Sequence, residues 1–83
     1  MFDTERNELL ASVLAGIPSV ARAIAASPAS RWSRALDAAR RSYLRSAKSM
    51  GFSDEAADTW VAAVMFHLRL ELKKALAKRV VAA

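Results

Sequence analysis

Apolar residues recur at intervals of three and four positions along nearly the whole chain, and this spacing is typical of amphipathic helices. No segment alternates apolar and polar residues over the length of a strand. The pattern predicts helices over residues 4–16, 19–26, 29–50 and 53–80. It therefore predicts an all-α protein with a single domain over residues 1–83, folded as a small three- to four-helix bundle with a long C-terminal helix.

The predicted helix boundaries coincide with residues that interrupt or cap helices. Pro18 has no amide hydrogen and restricts the residue before it, so we expect a break or a kink there, which acts as a turn or as a hinge. Ser27 and Pro28 suit an N-cap and a first helical position. Gly51 suits the left-handed position that follows a helix, and Ser53 suits the N-cap of the last helix.

The last predicted helix carries two apolar faces. The broader face is expected to form the core, against which Trp32 and Trp60 are at least partly buried; its residues are Val61, Val64, Met65, Leu68, Leu72 and Leu76. A narrower face lies on roughly the opposite side of the helix. We call it the apolar strip, and it consists of Ala63, Phe66, Leu70 and Ala77.

A helix that packs against a single layer of neighbours needs only one apolar face. The last helix is also long, since about 28 residues extend roughly 42 Å, which exceeds the width of a domain of this size. We therefore expect a second copy of the chain, or a partner protein, to cover the apolar strip. The simplest such assembly is a homodimer.

The chain is basic, with 13 lysines and arginines against eight acidic residues and a formal net charge of +5. Most of this excess lies on one face of the predicted helix 29–50. The cations that define this basic face are Arg34, Arg41, Arg45 and Lys48. Guanidinium groups match phosphate oxygens, and a row of cations releases counterions from nucleic acid, so phosphate binding is one interpretation.

The other interpretation of the basic face is a solvated surface, or one that meets an acidic partner protein, because arginine is also a good helix former. Trp32 and Tyr43 fall on the apolar side of the same helix, so no aromatic ring is available for base stacking. Asn7 is the only side-chain amide in the chain and lies far from the face. Binding to nucleic acid is therefore expected to involve the phosphate backbone more than base edges.

Catalytic and metal-binding patterns are scarce. The chain has no cysteine and one histidine. His67 and Glu71 lie one turn apart and could supply two metal ligands, whereas a protein metal site needs three or four. The serines have no histidine and acid at a spacing that suggests a catalytic triad, and there is no glycine-rich phosphate loop. We predict no enzyme activity, no metal, no cofactor and no small-molecule substrate.

The N-terminal segment carries acidic residues early and has no basic region before an apolar run, so it does not resemble a signal peptide. The longest uncharged run, residues 9–21, is too short to span a membrane. A cytoplasmic protein is expected. Our leading hypothesis is a non-enzymatic interaction or regulatory module that self-associates, or binds a partner protein, through its long C-terminal helix. The alternative is a nucleic-acid-binding module that uses the basic face.

Overall fold

The structure is a computed structural model that describes the backbone of residues 3–82 and the side chains of residues 7, 8 and 10–78. It contains the α-helices α1 (Asp3–Ala26), α2 (Trp32–Ser49) and α3 (Asp54–Ala82), with a 3-10 turn at Ala29–Arg31 between the first two. The described residues include no strand, so the all-α prediction is confirmed. Residues 1, 2 and 83 of the predicted domain lie outside the described part.

Helix α3 is the centre of the fold, because α1 and α2 each pack against it more extensively than against each other. The broad face predicted for α3 is buried, apart from Leu76, which is half-buried. Helix α2 contributes mainly half-buried side chains, including Trp32 and Tyr43. The buried cluster consists of Ile17, Ala21, Ile24, Ala25, Val61, Val64, Met65, Leu68 and Leu72.

Helix α1 continues through Pro18, where the sequence predicted a break or a kink between helices 4–16 and 19–26. The prediction of two separate helices is therefore wrong. A proline inside a helix costs about 3 kcal/mol. Ile17 and Ile24, on either side of Pro18, are 2% and 5% exposed. Burying each of them contributes about 1.5–3 kcal/mol, which is enough to hold the helix together across the proline.

Helix α2 begins at Trp32, three residues later than predicted, because residues 29–31 form the 3-10 turn. The Ser27 hydroxyl does not cap α2; it donates to the Ala23 carbonyl at the end of α1. The Trp32 indole Nε1–H donates to the Ser27 carbonyl over 2.9 Å. This bond spans the connection between α1 and α2, in which the 3-10 turn precedes the first full turn of α2.

The connection between α2 and α3 follows the predicted capping pattern. Gly51 has φ of +86°, the left-handed conformation that glycine adopts most easily. The amide of Phe52 donates to the Ala47 carbonyl over 3.2 Å, which completes a Schellman motif at the end of α2. The Ser53 hydroxyl accepts from the Ala56 amide over 3.1 Å and caps α3.

Helices α2 and α3 run antiparallel, since residues late in α2 lie beside residues early in α3. Lys48 Nζ is 3.3 Å from Asp54 Oδ1. The ring centroids of Tyr43 and Trp60 are 6.5 Å apart in an edge-on arrangement, and Phe52 meets Trp60 in the same way at 6.0 Å. This hairpin fixes which faces of α2 and α3 point outward.

Candidate interface and basic face

The apolar strip lies on the face of α3 opposite the core. At about 100° per residue, its members are half a helical turn away from the buried residues of α3. Phe66 is 61% exposed and Leu70 is 40% exposed. Ala63 and Ala77 are exposed as well. The structure thus brings all four predicted residues together in one row, and neither α1 nor α2 covers their side chains.

Three further exposed residues, which were not among the predicted interface residues, continue this row: Ala56, Thr59 and Lys73. With them, the spacing alternates strictly between three and four residues, which is the spacing of a coiled-coil seam. The pattern was present in the sequence, but two of the added residues are polar and so stand outside any search for apolar positions. We call the whole set the heptad row: Ala56, Thr59, Ala63, Phe66, Leu70, Lys73 and Ala77.

His67 and Glu71 border the heptad row on one side. The His67 ring is exposed and lies edge-on to Phe66, with ring centroids 6.0 Å apart. Glu71 Oε1 is 3.3 Å from Lys74 Nζ, so this carboxylate already has a cationic partner. Among the described residues, no group of three or more histidine and acidic side chains is placed to hold a metal ion.

The basic face predicted on α2 is exposed at all four positions. Two of its cations have carboxylate partners: Arg41 lies 3.4 Å from Asp37, one turn earlier, and Lys48 pairs with Asp54 of α3. Within the described part of the chain, Arg34 and Arg45 form no ion pair. Two of the four cations of the basic face therefore take no part in an ion pair with a described residue.

A groove of about 440 Å³ separates α1 from α3 near the end of α1. Its volume is within the range of small-molecule sites, whereas no small-molecule substrate was predicted from the sequence. Alanines from two helices far apart in sequence form much of its wall. A groove built from distant segments leaves no local sequence pattern from which it could be predicted. The lining consists of Pro18, Arg22, Ala25, Ala26, Glu71, Lys74, Ala75 and Lys78.

Comparisons of the chain with protein-family models, with curated proteins and with solved structures find no match. Within the part of the chain that the structure describes, no helix combines the length and the apolar character needed to cross a bilayer.

Proposed function

We propose that this protein is a non-enzymatic interaction module that forms a homodimer through the heptad row of α3. The observation that carries the proposal is the exposure of Phe66 and Leu70, at 61% and 40%, on the helix face that α1 and α2 leave open. Monomeric proteins rarely expose large contiguous apolar patches, and such patches commonly mark interfaces. The proposed setting is the cytoplasm, and no catalytic step is assigned to the module.

A second copy is a better occupant of this surface than an unrelated protein. The first three positions of the heptad row are small and the next three are large, so each large residue can fit over a small one when two identical helices pair antiparallel. A two-fold axis makes the same patch serve both subunits. Lys73, the one charged member, can lay its aliphatic stem along the seam and keep its ammonium in water.

Replacing Leu70 with glutamate is the direct test. In a two-fold dimer the substitution places two buried charges in one interface, so we expect the dimer dissociation constant to rise at least tenfold. Sedimentation velocity over a hundredfold concentration range measures this. The matched control is Leu14→Glu on α1, since Leu14 is 37% exposed against 40% for Leu70 and lies outside the heptad row.

The homodimer predicts a concentration-dependent mass for the wild type, a monomeric Leu70→Glu variant with unchanged far-ultraviolet circular dichroism, and a Leu14→Glu variant that still dimerises. A wild type that stays monomeric throughout the range would contradict the proposal. So would a Leu70→Glu variant that retains the dimer mass.

The alternative function is binding to the phosphate backbone of nucleic acid through the basic face of α2. The observation that favours it is the exposure of Arg34 and Arg45 without an ion-pair partner among the described residues. Arg41 and Lys48 would first have to exchange their carboxylates for phosphates. Exposed ion pairs of this kind contribute only about 0–1 kcal/mol, so the exchange is not prohibitive.

A further inference from the structure

The charges that flank the heptad row distinguish between the ways in which two α3 helices can pair. The geometry of this pairing rests on the proposed homodimer. In a parallel pair every residue of the row faces its own copy. Lys73 would then lie against Lys73 in a partly desolvated seam, and like charges at that distance repel. A parallel dimer is therefore disfavoured.

Two antiparallel registers keep Phe66 near the centre of the pair: Phe66 of each copy lies against Leu70 of the other, or it lies against Ala63. When Phe66 faces Leu70, the two-fold axis passes close to position 69, and the exposed Arg69 side chains of the two copies meet across it. Both arginines would lie beside the seam without an opposing charge. This arrangement matches large against large in the centre and adds electrostatic repulsion.

When Phe66 faces Ala63, the three large residues of each row lie over the three small residues at the start of the other row. Leu70 then lies over Thr59 of the other copy, and Arg69 lies beside the small, uncharged Ala62. Lys73 meets Ala56 and comes next to Glu55 in the first turn of the other α3. Glu55 and Lys73 are both exposed and form no ion pair with any described residue of their own chain.

We infer that two copies of the chain pair through antiparallel α3 helices with Phe66 of each over Ala63 of the other, so that Lys73 of each copy meets Glu55 of its mate. Charge complementarity selects this register, because it removes the contact between arginines and gives two exposed, unpaired groups opposite partners. The same pair occurs twice in the dimer, once on each side of the axis.

Reciprocal charge reversal tests the register. Lys73→Glu and Glu55→Lys should each raise the dimer dissociation constant about threefold to tenfold, because each change sets two pairs of like charges against each other. The double variant should return it to within about twofold of the wild type, since it restores opposite charges. The matched control combines Glu55→Lys with Lys78→Glu, which makes the same charge change outside the row and should not rescue dimerisation.

Engineered thiols give a second readout, since the natural chain has no cysteine. In the inferred register Ala62 lies beside Arg69 of the other copy, so the double variant Ala62→Cys with Arg69→Cys should form a disulfide-linked dimer on mild oxidation. Arg69→Cys alone should not. In the competing register the single Arg69→Cys variant crosslinks, because the two thiols then meet at the axis.

The outcomes separate the register from the proposed function. A wild type that dimerises without rescue by the double charge reversal, or with crosslinking through Arg69→Cys alone, overturns the register and leaves the homodimer intact. A wild type that stays monomeric removes both. Rescue together with crosslinking only in the double-cysteine variant supports the inferred geometry.

Discussion

At the scale of single residues, the protonation of Tyr43 affects the stability of the fold. Its ring packs edge-on against Trp60 between α2 and α3, and the side chain is half-buried. Burial removes water from the phenol and raises the pKa of Tyr43 above the ordinary value of 10.0, because the charged phenolate is poorly solvated there. The folded state therefore keeps this proton at a pH at which the unfolded chain has begun to lose it.

Tyr43→Phe should make the protein less sensitive to alkaline pH. The wild type loses the contribution of Tyr43 as the pH rises from about 10 through the raised pKa of the folded state, since the unfolded chain ionises first. Phenylalanine retains the ring contact and has no proton to lose. Urea unfolding between about pH 9 and pH 11 measures the difference. Tyr43 is the only tyrosine, so tyrosinate absorbance follows it alone. Identical pH profiles for both proteins would contradict this account.

At the scale of helices, the sequence predicted what local periodicity controls and missed what tertiary contacts decide. The two faces of α3 followed from spacing alone, and the end of α2 followed from Gly51, because glycine adopts the left-handed conformation after a helix more easily than other residues do. The continuation of α1 through Pro18 depends on burial against α3, which no local rule contains. The late start of α2 accompanies a hydrogen bond from the Trp32 indole to Ser27, and a side-chain contact across a turn cannot be read from the periodicity of the sequence.

Pro18→Ala should stabilise the protein, because the new amide can donate to the preceding turn of α1 and alanine has the best helix propensity. We expect a gain of about 1–3 kcal/mol, which raises the Tm by several degrees in a domain of this size. Thermal unfolding followed by circular dichroism measures it. The control is Pro28→Ala outside the helix, which should be neutral or slightly destabilising. Loss of stability in Pro18→Ala would show that the proline ring itself packs productively against the groove.

At the scale of the whole molecule, the three helices form an elongated structure in which one face of α3 is left uncovered. The principal-axis extents are 47 × 23 × 15 Å and the radius of gyration is 13.9 Å. A globular chain of this length has a radius of about 12 Å. The accessible surface of 5811 Å² likewise exceeds the roughly 4,900 Å² expected for 9.0 kDa. This excess is consistent with α3 serving as a shared element of a larger assembly.

The distribution of charge gives the last prediction. If the basic face binds duplex nucleic acid, the logarithm of affinity should fall with the logarithm of salt concentration with a slope of about −2 to −4, one unit for each phosphate neutralised. Arg34→Ala combined with Arg45→Ala should make that slope shallower by about two units. Fluorescence anisotropy with a short labelled duplex measures both quantities.

The control for that measurement removes the same charge elsewhere, through Arg22→Ala with Lys78→Ala on the rim of the groove between α1 and α3. If nucleic acid contacts the basic face specifically, the slope should change only in the variant Arg34→Ala with Arg45→Ala, because only the cations of α2 would then touch phosphates. Equal losses of affinity in the two double variants would mean that affinity follows the net charge of +5 and does not depend on the basic face. Undetectable binding at low salt would remove the nucleic-acid alternative and leave the homodimer proposal as it stands.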